Sequence, residues 1–310
     1  MLSKVAERVY WTARYLERVE STARIVSIYD KLLFDLPRDV NLTWFNLVII
    51  NDLESDYLSR YTVQDERNVV KFLLGDDTNP SSIVSSLHHL RENVRTTRDV
   101  VLEETWELVN ELNMYVHENI QHGINRSKRH EFLEFIIKGC QQILGLLYGN
   151  MPHDSAWDFL RLGRNLERAD MTTRNLDAGI AAIIELEGDE SAINSRQIIW
   201  GTVLRSLNAD QSYRRNTRSA VRGELVVEYL LKNMESPRAL AHCLDALCDT
   251  SEKLPGSKSL LTHLNKIQLK VSKYNVEENL NGEFRNYLND LQIKLASVHR
   301  LIAETWFPHV

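Results

Sequence analysis

YWTARYLERVESTAR (10–24) and LRLGRNLERADMTTR (160–174) read as two versions of one helix, and that reading organises the whole chain. At an offset of 150, Arg14 meets Arg164, Leu16 meets Leu166, Glu17 meets Glu167 and Arg18 meets Arg168. Glu20 meets Asp170, Thr22 meets Thr172 and Arg24 meets Arg174. One such match in a Leu- and Arg-rich chain would be chance, but the parallel continues in order. Trp44 meets Trp200 and Tyr57 meets Tyr213 at an offset of 156, and VVKFLLGDDTNPSS (69–82) meets VVEYLLKNMESPRA (226–239) at 157. Ordered landmarks with so little drift predict one duplicated unit, roughly 1–150 and 151–310. The two halves are expected to form a single domain over 1–310 with a pseudo-twofold relation.

Composition agrees with an all-α fold, a compact helical bundle. The apolar fraction is 43 % and the charged fraction 26 %, both ordinary for a globular chain. Glycine (12) and proline (6) are scarce, which favours long helices over many short strands. Apolar residues recur at three- and four-residue spacing through 3–35, 43–59, 82–98, 103–120, 128–148, 156–186, 194–222, 238–252, 258–272 and 281–304. Pro80 and Pro237 are read as helix-start residues, and Ser155 with Asp158 as a weak capping box. VVKFLL and VVEYLL could pass for strands, but two isolated strands would have nothing to pair with, so both are read as short buried helices or turns. Short linkers at 75–80 and 187–194 argue for compactness.

The net charge of −6 gives no global attraction to nucleic acid or anionic membrane, although local basic clusters leave nucleic acid open as a partner. Cys140, Cys243 and Cys248 follow no zinc spacing and read as reduced, packed thiols. The opening residues are charged and amphipathic, and no stretch approaches the roughly 20 apolar residues that span a bilayer. These features predict a cytoplasmic protein that does not enter the membrane.

Helical geometry sorts the first motif. At about 100° per residue, Tyr10, Arg14, Glu17, Ser21 and Arg24 share one face, Glu20 sits at its edge, and Arg18 flanks the other side. Leu16, Val19 and Ala23 lie opposite and can supply core. The second helix repeats this with Arg164, Glu167 and Arg174, with Asp170 at the edge and Arg168 flanking. Two roles suit such a face besides a solvated charge ladder. The helices could pair at the pseudo-twofold with Glu17 and Glu167 clamped by arginines of the other half, since an unmatched buried charge costs several kcal/mol. Alternatively, the face could line a groove for a charged ligand. Taken alone, the residues favour the structural role.

These segments together resemble the alpha-E domain family, all-helical bacterial proteins whose name records a Glu-Arg motif. The likeness runs through LSKVAERVYWTARYLERVESTAR, SIVSSLHHLRENVRTTRDVVLEETWELVN (82–110), FLRLGRNLERADMTTR and the VVEYLL…SPRALAHCL stretch, and covers nearly the whole chain. The family pattern falls on Arg14, Glu17, Arg18, Glu20 and Arg24, and on Arg164, Glu167, Arg168, Asp170 and Arg174. It also falls on Arg91, Glu92, Asn93, Arg95 and Arg98 of the middle helix, and on Asn110. The middle motif has no second copy, because RALAHCLDAL follows Pro237 without RENVR. Ser81 stands where the second half has Arg238, so any anion contact from that position exists once. The resemblance implies an association with circularly permuted ATP-grasp ligases, and hence a role in peptide modification or amide-bond formation, on a peptide or another anionic substrate.

Other chemistry finds little support. There is no GxxxxGK[ST] loop and no HExxH or Cys-His cluster. The paired carboxylates lack the Glu-x-x-His partners of di-iron bundles, so neither metal nor cofactor is expected. Arg214, Arg218 and Arg222 recur every four residues and predict a basic stripe suited to phosphate or carboxylate. Three functions remain in play: a binding component of an ATP-grasp system using the motif groove, an enzyme using Glu17 or Glu167 as general base, or a structural adaptor. A motif arginine is expected to share a cleft with Arg91, Asn93 or Arg95.

Overall fold

In the computed structural model, which describes residues 1–35, 42–184, 190–276 and 280–308 (the side chains of 34–35 and 190–192 excepted), every regular element is helical. Seven α-helices run from α1 (Ser3–Asp35) through α2 (Asn46–Ile50), α3 (Glu54–Leu58), α4 (Glu66–Leu74), α5 (Ile83–Arg95) and α6 (Glu103–Ile124) to α7 (Arg129–Asn150). Seven more follow: α8 (Ser155–Ile184), α9 (Glu190–Ser206), α10 (Asp210–Thr217), α11 (Gly223–Lys232), α12 (Leu240–Glu252), α13 (Lys258–Lys273) and α14 (Gly282–Trp306). A single 3-10 turn, Arg126–Lys128, precedes α7.

The packing scheme runs parallel in the two sets. Helix α1 packs on α5 and α7, and α8 packs on α12 and α14; α5 rests on α6 as α12 rests on α13. The two long motif helices meet at the centre, where one continuous apolar cluster joins residues of both sets. VVKFLL and VVEYLL lie within α4 and α11, whose Val69, Val70, Leu73, Val226, Val227 and Leu230 are buried. No helix is long and apolar enough to cross a membrane among the described residues.

Several boundaries differ from the periodicity. The expected helix 43–59 is broken at Asp52 (φ 57°) and the expected 194–222 at Asn208 (φ 53°). Apolar spacing carries across both breaks because the flanking turns still face the core, whereas Asp and Asn tolerate the left-handed backbone that ends a helix. The two breaks are themselves 156 residues apart, the offset of the Trp and Tyr landmarks. Pro80 and Pro237 lie in turns rather than at helix starts. Ser82 accepts a hydrogen bond from the Ser85 N–H and so opens α5 two residues later, while Ala239, in extended conformation, precedes α12. At α8 the cap is Asp154, whose Oδ1 accepts from the N–H groups of Ala156 and Trp157; Ser155 and Asp158 form no box. Helix α9 already begins at Glu190, inside the expected 187–194 linker, and residues 185–189 lie outside the described residues.

Candidate functional site

Small residues bring the two motif helices together. A Cβ on Gly163 would run into the carbonyl oxygen of Tyr10 and stand 3.3 Å from the Ala13 Cβ, so only glycine allows α8 to cross α1 this closely. Leu16, Val19, Leu166 and Ala169 are buried on the core side. The crossing also encloses both motif carboxylates: Glu17 is 0 % and Glu167 2 % exposed.

Each carboxylate is held by arginines of the other helix. Glu167 accepts from Arg14 Nε at 2.6 Å and from Arg18 Nε at 2.7 Å. Glu17 accepts from Arg168 Nε at 3.0 Å and Arg164 Nε at 3.4 Å. Burial alone would push both carboxyls up, but these guanidiniums outweigh it and hold each at about 2. Outside the pair, Arg24 binds Glu20 at 2.7 Å and Arg174 binds Asp170 at 2.8 Å. A carboxylate that is ionised down to such low pH and enclosed by cations is a poor general base near neutrality, which weighs against Glu17 or Glu167 as proton acceptors.

A family model described as a predicted alpha-helical domain with a conserved ER motif matches residues 1–307. The chain belongs to the Alpha-E family. It is similar to proteins of Mycobacterium bovis and of two Mycobacterium tuberculosis strains, each titled an uncharacterized protein and each 22 % identical over 272 residues. The match covers 82 % of this chain but only 30 % of each mycobacterial protein, so the chain spans less than a third of their length. No solved structure matches it. The two Glu-Arg pairs of this chain, Glu17 with Arg18 and Glu167 with Arg168, are the two halves of one reciprocal clamp.

The clamp is unequal. Glu17 has a third partner, Arg238, from the turn before α12, which also approaches Glu20 at 3.6 Å. Burial, together with neighbouring Arg168 and Arg24, lowers the Arg238 pKa despite Glu17 and Glu20, as expected where cations outnumber anions. Beside this group opens a cleft of about 610 Å³, lined by Arg161, Arg164, Arg168 and Arg238 with Glu20 and Tyr148. The Arg164 guanidinium lies 4.4 Å above the Tyr148 ring. Arg161 makes no ion pair among the described residues.

On the Glu167 side, rings take the corresponding places. Trp11 stands at the position of Arg161 and Tyr15 at that of Asn165, at the offset of 150; His89 stands at that of Ala246, at 157. Trp11 stacks on Tyr15 (5.2 Å), Tyr15 on His89 (5.4 Å), and the edge of Trp11 meets His299 (5.3 Å). Arg14 and Arg18 lie against Trp11 and Tyr15. Tyr10 is buried, shares a hydrogen bond with His299 Nδ1 (2.9 Å) and accepts one from Arg14. Burial, with Arg14 adding to it, lowers the His299 pKa to about 4, so this ring is neutral at pH 7.

Two expectations about the site are corrected. Arg91, Asn93 and Arg95 are not among the described residues that line the cleft of Arg161, Arg164, Arg168 and Arg238. Leu87, Leu90 and Val94 take the inward face of α5, which turns Arg91 toward α6, where it donates to Asn110 (2.8 Å) and lies over Trp106. Arg95 pairs with Glu92 at the surface, and Arg98 lies 4.0 Å from the Trp106 ring centre. Arg214, Arg218 and Arg222 do not share one helix face. Helix α10 ends at Thr217, Arg218 is left-handed (φ 49°) and Arg222 precedes α11, so the four-residue spacing spans a break; Arg214 pairs with Asp210.

Arg161 was the residue least visible in the sequence. It lies three residues before Arg164 and seven before Arg168, hence on their face of α8, but the alignment with Trp11 gives no hint of it. The thiols are buried, and burial raises Cys243 to about 12, far from a reactive thiolate. Among the described residues no group of three or more His, Cys, Asp or Glu could hold a metal ion.

Proposed function

We propose that this chain is a binding component of an ATP-grasp-linked peptide-modification or amide-forming system, acting in the cytoplasm, and that its motif cleft receives an anionic group of the substrate. The observation that carries the reading is the cleft itself: four arginines around an open volume of about 610 Å³, with fewer carboxylates than guanidiniums beside them. Pockets of this size hold small ligands or the end of a peptide, and guanidinium forks suit the carboxylate that an ATP-grasp ligase activates. The mycobacterial relatives carry the matching region within much longer chains, which fits a module that works beside other domains. The low pKa values of Glu17 and Glu167 favour binding over catalysis by these carboxylates.

The test is reconstitution with a circularly permuted ATP-grasp ligase encoded beside the chain. We expect the two to co-purify and ligase turnover to fall when this chain is omitted or carries Arg161→Ala. Absence of a complex together with unchanged turnover would remove the proposal. We also propose that the two sets of seven helices descend from one duplicated unit. An experimental structure in which Glu17 does not superpose on Glu167 when α1–α7 is laid on α8–α14 would refute that.

A further inference from the structure

The structural arginines of this protein show what a satisfied guanidinium looks like. Arg129 is almost fully buried and uses every nitrogen: Nε donates to the Gly123 carbonyl, Nη2 to the Ile124 carbonyl, and Nη1 to Asp30 (2.6 Å) and Glu66 (2.7 Å). Arg168 is also buried (8 % exposed) yet reaches Glu17 through Nε alone. Arg164 does the same. Among the described residues, no hydrogen bond is made by the terminal nitrogens of either, and both side chains line the cleft. A guanidinium carries five N–H donors, so each of these two retains four.

Charge points the same way. Four guanidiniums line the cleft, and the carboxylates beside them are Glu17 and Glu20, an excess of two positive charges before Arg24 on Glu20 is counted. Arg161 contributes one whole charge with no ion-pair partner among the described residues; its influence is felt by Asp158, one turn earlier on α8. The side chains of Asn165, Ser212 and Ser236 add neutral hydrogen-bonding groups to the wall. On the Glu167 face Arg14 and Arg18 each make two hydrogen bonds, leaving three N–H donors apiece, and two guanidiniums rather than four stand there, with Trp11 and Tyr15 against them.

We propose that the cleft binds one dianion per chain, a group with two negative charges on phosphoryl or carboxylate oxygens, held by the terminal nitrogens of Arg164 and Arg168 and by Arg161. The opposite face, where Trp11, Tyr15 and His89 stack, binds none. The inference rests on the cleft being the ligand site of the proposed function, and it narrows that site to a ligand of matching charge and a single copy. Two sources supply this chemistry: a phosphate ester, or a dicarboxylate such as a peptide ending in an acidic residue. Guanidinium forks serve both.

The experiment is isothermal titration of the purified chain at pH 8 and constant ionic strength with inorganic phosphate, glutarate and acetate. The expected result is binding of at least one dianion at one equivalent, about tenfold or more tighter than acetate. Preference for phosphate assigns the phosphoryl source, and preference for glutarate the dicarboxylate source. Arg161→Ala should weaken the dianion about tenfold or more while its melting temperature stays that of wild type. Asn165→Tyr, which builds the ring of the closed face into the open one, should abolish binding and serves as the second variant. Dianions no tighter than acetate, two equivalents bound, or affinity unchanged in both variants would overturn the inference. Dianion binding without any effect on the ligase would instead leave this inference standing and remove the proposed partner.

Discussion

The two faces of the α1–α8 crossing carry the same motif and use it differently. Around Glu167, two guanidiniums meet one carboxylate and the rings of Trp11, Tyr15, His89 and His299 stack beside them. Around Glu17, three guanidiniums meet one carboxylate, and the places of Trp11, Tyr15 and His89 are taken by Arg161, Asn165 and Ala246 beside an open cleft. The lesson is that a motif read twice in a sequence need not mean two sites. A reciprocal ion-pair clamp holds the helices together on both faces, and what surrounds the clamp decides whether surplus charge remains for a ligand.

The largest effect should come from neutralising the carboxylates. Glu17→Gln takes the shared anion from three clustered arginines, of which only Arg238 keeps a second carboxylate, Glu20 at 3.6 Å, and removing one partner of a buried pair costs roughly 3–5 kcal/mol. Glu167→Gln strands only two and should cost less. Chemical melts in phosphate and in chloride sharpen the contrast. Phosphate should restore part of the stability of Glu17→Gln through the open cleft and do nothing for Glu167→Gln behind its rings. Equal losses with equal rescue would erase the distinction between the faces.

Acid should act on both faces through the carboxylates. Their folded pKa of about 2 lies below the ordinary 4.5, so the stability they contribute is fully present above pH 4.5 and is lost as pH falls toward 2. A shift of that size corresponds to about 3 kcal/mol for each at most. His299 adds a limb belonging to the Glu167 face alone. Its folded pKa of about 4 lies below the ordinary 6.5, so the unfolded chain takes up the proton first and stability declines between pH 6.5 and 4. Urea midpoints of His299→Gln should lose the upper limb and keep the lower; an unchanged profile would detach His299 from the clamp's electrostatics.

Steric changes come next. Gly163→Ala must push α8 away from the Tyr10 carbonyl, an overpacking effect of roughly 1–3 kcal/mol, and should weaken both carboxylate clamps together. A thermal melt like that of wild type would mean the helices are not held at this crossing. The smallest effect on stability is expected for Trp11→Ala. This ring is only partly buried, so roughly 1–2 kcal/mol is at stake, below the 3–5 typical of a fully buried aromatic. Its informative readout is titration: opening the closed face should expose Arg14 and create a second, weaker anion site, and one equivalent bound in the variant would show that the rings are not what closes this face.

By itself the sequence determined the helical class and the core faces of the two motif helices, and it offered their pairing as one role of the shared charged face. These follow from local facts: three- and four-residue apolar spacing, scarce glycine and proline, and a repeat whose landmarks keep their order. It also marked Arg238 as a contact that exists once, because Ser81 sits at the aligned position. Only the tertiary structure decided which arginines share a site. The Arg214, Arg218 and Arg222 spacing looked like a stripe, yet Arg218 is left-handed and breaks the helix on which the spacing depended. Arg91 and Arg95 were expected to share a cleft with a motif arginine, yet the inward Leu87, Leu90 and Val94 of α5 turn them to another surface. Arg161 and Trp11 occupy matching positions on matching helices, and nothing in their spacing says that one leaves a cleft and the other fills it. That difference lies in the volume of side chains brought from α5, α7, α12 and α14, elements distant in sequence and adjacent only when the chain has folded.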